Sequence, residues 1–188
     1  DVGAMTRIVL VGGGHAHVQV MLALAEARLP DLDVTLVSPD RLTPYSGMLP
    51  GYIAGLYSHD DIHIDLARLS ARTGIRWVAA SATGLDRDGR QVMLDQGGPL
   101  PYDWVSFDVG IRPDLSGIAG AETHAVAVKP IARFIDRLEA TRADLVARSE
   151  APRVAIVGGG AAGVELAFAI RARLATDRAA RGGPPISV

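Results

Sequence analysis

The chain has 188 residues, 48% apolar and 21% charged, with a formal net charge of -2. That length suits one domain or one and a half, and the composition is that of a chain that buries a core. Lys and Arg are spread among Asp and Glu, so neither a nucleic-acid-binding patch nor an acidic tail is expected. The longest apolar runs, at 8–11 and 154–157, are far shorter than a membrane span. Residues 1–11 hold one basic residue and lead into glycines, so no signal peptide is expected and the cytoplasm is the default location. There is no cysteine. Disulfides, thiolate zinc sites and Cys-x-x-Cys redox pairs are thereby excluded within this chain, and redox chemistry here needs a bound cofactor.

Ile8-Val9-Leu10-Val11 is a continuous apolar run, read as a strand buried on both faces, as parallel sheets require. Gly12-Gly13-Gly14 follows at once. From Ala16 onward Val18, Met21, Leu22, Ala25 and Leu29 recur at three and four residues, which predicts a helix that stops at Pro30-Asp31. Val34-Thr35-Leu36-Val37 is the next buried strand, closing a β-α-β unit of roughly thirty residues. Residues 38–59 carry three prolines, three glycines and three tyrosines and read as irregular, and segments of that kind are often functional. Asp60 or Asp61 is expected to cap a helix that carries Ile64, Leu66 and Leu69 toward Ala71.

Past the break at Gly74, strands are predicted over Ile75–Ala80, Val92–Leu94 and Trp104–Phe107, with turns at Asp88-Gly89 and Gln96-Gly97-Gly98-Pro99. Together, residues 75–107 suggest a small antiparallel meander inserted in an α/β domain. Residues 111–130 read as a connector. A helix follows from about Ile131 to Arg148, with Ile131, Phe134, Ile135, Leu138 and Leu145 on its apolar side. Val154-Ala155-Ile156-Val157 is another predicted buried strand. It leads into Gly158-Gly159-Gly160-Ala161-Ala162-Gly163 and a helix through Val164, Leu166, Ala167 and Ile170. Residues 181–185 read as a loop, and Ile186-Ser187-Val188 as the start of a further strand. The second β-α-β unit is opened and not finished, so a fragment of a longer protein is expected. The predicted architecture is a Rossmann-like three-layer α/β fold with an inserted antiparallel β-meander and the start of a second Rossmann-like domain. The expected divisions are 1–118, a connector and helix over 119–150, and 151–188.

Each glycine run sits between a predicted strand and a predicted helix, the context that gives Gly-x-Gly-x-x-Gly its meaning. A dinucleotide pyrophosphate needs a tight turn after a strand, close backbone approach and a helix N-terminus aimed at negative charge. Gly12 makes the turn and Gly14 allows the approach; the third position is His17, so this copy is non-ideal. The second copy is complete at Gly158, Gly160 and Gly163. Where the fingerprint expects an acid for the ribose, at the end of the second strand, the chain has Ser38; Asp40 is a substitute or an ordinary loop charge, and Arg41 either meets a phosphate or does the same. His15 and His17 either reach a ligand phosphate, ribose or flavin, or serve packing and capping. A metal site with His59 and His63 is disfavoured, because His-x-His across a helix turn is poor ligand geometry. Tyr45, Tyr52, Tyr57, Met48 and Leu49 either pack on a ring system or belong to the core. Asp108 is a polar contact near a cofactor or a local turn cap. Glu165 contacts a nicotinamide-side group or is a first-turn Glu favoured by the helix dipole. No side chain stands out as an acid–base catalyst.

Two dinucleotide motifs separated by a meander and a connector resemble the pyridine nucleotide-disulfide oxidoreductase superfamily of flavoproteins, over essentially the whole chain. Val-Leu-Val-Gly-Gly-Gly-His-Ala-His at 9–17 is similar to its first site, and Ala-Ile-Val-Gly-Gly-Gly-Ala-Ala-Gly-Val-Glu-Leu-Ala at 155–167 to its second. Tyr-Asp-Trp-Val-Ser-Phe-Asp-Val-Gly at 102–110 looks like the strand that ends in an Ala-Thr-Gly motif beside FAD, with Asp108, Val109 and Gly110 in those places. Thr43-Pro44-Tyr45-Ser46-Gly47-Met48-Leu49-Pro50 resembles the Thr-Pro-Leu-Leu-Pro segment of the type II NADH dehydrogenase-like branch. Gly-Gly-Gly-His-Ala-His together with that segment is similar to the NADH dehydrogenase-like proteins linked to selenophosphate synthetase.

The resemblance implies FAD at the first motif and NAD(P)H at the second. It implies Gly12, Gly14, His15, Ala16 and His17 at the pyrophosphate turn. Ser38, Pro39, Asp40, Thr43, Pro44, Ala82, Asp108, Val109 and Gly110 would lie around FAD, and Gly158, Gly160, Gly163 and Glu165 would serve the nicotinamide nucleotide. It further implies electron transfer to a quinone or another small-molecule acceptor, a homodimer, and peripheral association with the inner face of the membrane; the alternatives are a flavin-dependent reductase of a selenium or sulfur compound and a nucleotide-binding module without turnover. The disulfide reductase branch places a cysteine pair in the early region; this chain has none, which removes thiol–disulfide exchange there.

Overall fold

The computed structural model describes residues 5–148, 150 and 153–182. The chain divides into two compact units. One runs to Tyr45 and resumes over His63–Gly110; the other takes Ser46–Ile62 and resumes at Ile111.

The first unit is built on a four-stranded parallel sheet in the order β5-β2-β1-β9. Its strands are β1 (Thr6–Val11), β2 (Leu32–Val37), β5 (Arg76–Val78) and β9 (Trp104–Phe107). β1 pairs in parallel with β2 on one side and β9 on the other, which is why its sequence is an unbroken apolar run. Alternate residues of the sheet face opposite layers. Leu10, Val34 and Leu36 pack with Val18 and Met21 of α1 (His15–Ala27) and Leu66 and Leu69 of α3 (Leu66–Thr73). Val9, Val11 and Val37 pack on the other face against Val92 and Tyr102. Those two belong to the antiparallel layer of β6 (Ala82–Asp86), β7 (Gln91–Leu94) and β8 (Leu100–Pro101) and its exit. Helices, parallel sheet and meander are the three layers.

Three local expectations change. The meander is narrower than 75–107: the strands at 76–78 and 104–107 join the parallel sheet, and a strand at 82–86 takes their place. Four of the five residues of β6 are exposed, so it carries no burial pattern and is held by its pairing with β7. Residues 38–59 are not irregular throughout. β3 (Leu42–Pro44) pairs antiparallel with β4 (His63–Asp65), and α2 (Leu49–Ala54) follows a 3-10 turn at Ser46–Met48. The cap of α3 is Asp65, whose carboxylate accepts the Arg68 N–H at 3.0 Å; Asp60 and Asp61 lie in a separate 3-10 turn.

The described elements of the second unit are α2, α4 (Ala121–His124), α5 (Ile131–Ala147) and α6 (Ala161–Ala179), with a single β-bridge residue at Arg153 between α5 and α6, an arrangement consistent with the start of a second domain. Its core joins Leu49, Ile53 and Ile62 to Phe134, Ile135, Leu166, Ala169, Ile170 and Leu174. Arg178 is buried and donates through Nη1 to the carbonyls of Leu145 (2.8 Å) and Arg148 (3.0 Å), satisfying acceptors left over at the end of α5. The strand predicted at 154–157 is not formed. Parallel strands need neighbours, and among the described residues no sheet includes this segment; Val157 is 85% exposed. The strand predicted at Ile186–Val188 lies outside the described residues.

Candidate functional site

The order β5-β2-β1-β9 has a switch point. The chain leaves β1 through α1 toward β2 on one side, while β9 lies on the other. Open α/β sheets bind ligands outside the carboxyl ends of the strands at such a point. The first glycine run stands there. Gly12 has φ 99°, a conformation that L side chains rarely adopt, and its amide donates to the Val37 carbonyl at 2.8 Å. Gly14 is the N-cap of α1 and offers no side-chain hydrogen bond. Close packing also fixes the run. A Cβ on Gly12 would fall on the Asp108 carbonyl, one on Gly13 would come within 2.6 Å of Leu66 Cδ1, and one on Gly14 would fall on the Asp108 carboxylate. Among the described residues, no acceptor meets the amides of Gly13, Gly14 and His15. Three free N–H groups at a helix N-terminus suit the oxygens of a pyrophosphate, so the residues present fit a dinucleotide.

The two histidines part company. His17 is 2% exposed and bridges the turn to the neighbouring strand: Nδ1 to the Gly12 carbonyl at 2.7 Å and Nε2 to Ser106 Oγ at 2.9 Å. A carbonyl only accepts, so Nδ1 carries the hydrogen, and in the neutral ring Nε2 accepts from the serine hydroxyl. His17 is thus a packing and tethering residue whose ring points into the protein. His15 is exposed and meets Tyr45 edge-to-face with ring centroids 5.6 Å apart. Ala16 is exposed at the helix start.

Asp108 is a cap, though not of a local turn. It caps a helix, but 92 residues away: Oδ2 accepts the Ala16 N–H at 3.0 Å and the His17 N–H at 3.2 Å. The next residue in the chain, Val109, is 68% exposed, and Gly110 follows with φ 73°. Ser38, at the expected ribose position, is buried; its carbonyl accepts from Trp77 Nε1 at 3.0 Å, and its hydroxyl stands beneath Gly13. Pro39 and Asp40 are exposed beside it. Arg41 is not free for a phosphate: it forks onto Asp65, Nη2 to Oδ2 at 2.6 Å. That guanidinium first, and the Arg68 N–H second, hold the Asp65 carboxyl at about 2. Thr43 and Pro44 are half-buried in β3, and Ala82 is half-buried at the start of β6.

In the second unit Gly158 repeats the positive φ, at 112°, and Gly160 is the N-cap of α6. Among the described residues, a Cβ at Gly158, Gly159 or Gly160 would meet nothing within 4 Å, whereas one at Gly163 would fall on the Gly158 carbonyl. Glu165 is exposed and lies past the first turn of α6, which removes the first-turn reading. Leu49 belongs to the core cluster of the second unit, Met48 and Tyr52 pack against that cluster, and the Tyr57 ring covers Gly51. Ser106 and Asp65 are site residues that the sequence motifs do not single out. Ser106 carries no motif signal; Asp65 stands one residue before the periodic run that starts at Leu66, and that spacing was available.

This is the geometry of a Rossmann-like dinucleotide-binding α/β fold, with two glycine fingerprints of which the first is closely packed. The chain belongs to the pyridine nucleotide-disulphide oxidoreductase family, whose profile matches residues 6–178. It is 30% identical over 173 residues to the NADH dehydrogenase-like protein YutJ of Bacillus subtilis, covering 89% of this chain and 45% of that protein. It is 32% identical to the ferredoxin–NAD(+) reductase component of the anthranilate 1,2-dioxygenase system of Burkholderia cepacia, covering 87% and 39%. In fold it matches the sulfide:quinone oxidoreductase of Aquifex aeolicus with a TM-score of 0.73 at 21% identity, covering 94% of this chain and 40% of that one. The chain thus spans less than half the length of these relatives. Among the described residues, no helix is long and apolar enough to cross a membrane.

Proposed function

We infer that the protein is an FAD-dependent NAD(P)H oxidoreductase of the NADH dehydrogenase-like kind. The observation that carries this is the turn Gly12–Gly14 at the sheet's switch point, with free amides at the N-terminus of α1. FAD seated there would accept a hydride from NAD(P)H and pass electrons to an acceptor. The chain's own residues bind and orient. The amides of Gly13, Gly14 and His15 would hold the pyrophosphate, and His17 holds the turn against β9 through Ser106. His15 and Tyr45 form an exposed aromatic pair at the mouth of that turn. Asp40, exposed just past β2, takes the ribose role for which buried Ser38 is poorly placed. Thr43, Pro44, Ala82, Val109 and Gly110 complete the set assigned to FAD; Gly158, Gly160, Gly163 and Glu165 are assigned to the nicotinamide nucleotide. The protein is a homodimer that works in the cytoplasm or against the inner face of the membrane. It resembles the branch linked to selenophosphate synthetase, and its acceptor is a quinone.

Purified full-length protein is expected to be yellow and to bleach on anaerobic addition of NADH or NADPH. A colourless protein that takes up no added FAD overturns the reading. Mixing the reduced protein with a soluble quinone, a ferredoxin, or a selenium or sulfur compound, and timing the return of colour, tests the acceptor. Faster reoxidation by any of the others than by quinone replaces the quinone assignment.

A further inference from the structure

The N-terminus of α1 already has an anion. Oδ2 of Asp108 accepts from Ala16 N–H and His17 N–H at 3.0 and 3.2 Å, and the same carboxylate fills the space that a Cβ on Gly14 would take. Its position is imposed by the sheet. β9 runs beside β1, and the Asp108 amide donates to the Val11 carbonyl at 2.8 Å, pinning the backbone one residue past the strand's end. A carboxylate there has the charge and acceptor chemistry of a phosphate oxygen, and the helix dipole favours either. Both compete for the same terminus. Like charges at hydrogen-bond range repel, and two donors already committed to one oxygen are not available to another.

We propose that Asp108 is an internal competitor of the dinucleotide pyrophosphate, a residue that sets how tightly the first unit retains a phosphate-bearing ligand. The inference rests on the dinucleotide reading above. A pyrophosphate must either displace the carboxylate from Ala16 and His17 or bind beside it through the amides of Gly13, Gly14 and His15 alone. In both cases the affinity is lower than the same turn would give without the acid. Ligands that lack phosphate do not meet this competition. Gly14 is then required by the protein's own carboxylate as much as by any ligand.

The test uses flavin-stripped full-length protein, with Asp108→Ala and Asp108→Asn, titrated calorimetrically with FAD, ADP and adenosine. Asp108→Ala is expected to tighten FAD and ADP on the order of tenfold, by freeing two charge-assisted bonds. Asp108→Asn keeps the shape and an acceptor but not the charge, and is expected to tighten them less. Adenosine affinity stays unchanged in both. The melting temperature of the stripped protein moves the opposite way, downward, because a helix cap is weakened. A purely structural Asp108 would instead lower melting temperature and FAD affinity together, and that result overturns the proposal. So does a gain for adenosine equal to the gain for ADP. FAD binding by the wild type with no tightening in either variant removes the competitor alone. Binding of neither FAD nor ADP by all three proteins removes the dinucleotide reading, and the competitor with it.

Discussion

Gly12–Gly14 and Gly158–Gly160 share a motif and differ in what surrounds them. Both runs open on a glycine of positive φ, 99° and 112°. At the first run every added Cβ would strike protein atoms; at the second, among the described residues, none would meet anything within 4 Å. Two reasons for a fingerprint glycine are therefore separable. The turn demands backbone freedom in both copies, while among the described residues close packing against neighbouring strands is present only at the first. The third position inverts the contrast. Gly163 leaves no room for a Cβ because of the Gly158 carbonyl, whereas His17 fits and makes the corresponding carbonyl, that of Gly12, its hydrogen-bond partner. The copy that is poorer as a motif is the one better supported as a structure.

The largest expected effect tests that separation directly. Gly12→Ala meets both reasons at once: strain at positive φ of about 1–3 kcal/mol and overpacking against Asp108 of about 1–3 kcal/mol. A loss of about 4 kcal/mol in urea unfolding is expected. Gly158→Ala meets only the first and is expected to lose about 1–2 kcal/mol. Equal losses would break the comparison. The third position gives the next largest effect. His17→Gly restores the consensus motif, yet it is expected to destabilise by about 2–4 kcal/mol, because it opens a cavity and removes both ring hydrogen bonds. Ser106→Ala takes away one of those bonds and is expected to lose about 1 kcal/mol. A stabilised His17→Gly protein would mean that the ring is tolerated and not used.

These contrasts also mark where the sequence was readable. The unit β1-α1-β2 was legible because its strands are buried on both faces and its helix on one, so the apolar periods are unmixed. The parallel pairing of 76–78 and 104–107 was not, since short strands of either kind look alike without their partners. β6 was invisible, being mostly exposed. At the site, the glycines were legible from spacing. The roles of His17 and Asp108 were not: His17 bonds Ser106 across 89 residues, Asp108 bonds α1 across 92 and 91, and no local pattern encodes such separations. The expected strand at 154–157 shows the converse. Val-Ala-Ile-Val has the composition of a buried strand, but a strand exists only with a neighbour, and among the described residues that segment pairs in no sheet.

The smallest effect sharpens the comparison by pH. Asp65 caps α3 in the first unit through its side chain, while α6 in the second has Gly160 at its N-cap and no side-chain bond there. The Asp65 carboxyl is held at about 2, first by the Arg41 guanidinium and then by the Arg68 N–H, below the ordinary aspartate value near 3.9. A folded value below the unfolded one means that the contribution is fully present above about pH 4 and is lost as pH falls through about 2. Asn caps a helix as well as Asp does, so Asp65→Asn isolates the charge from the cap. Melting temperatures of wild type and Asp65→Asn are expected to differ by a few degrees at most at pH 6, because the Arg41–Asp65 pair is solvent-exposed and screened. The gap is expected to narrow from pH 4 downward and to close near pH 2, as followed by circular dichroism. A gap that stays constant across that range would assign Asp65 a purely geometric role. It would also leave Arg41 free to be displaced from Asp65 without cost, returning it to the candidates for a phosphate contact beside Asp40.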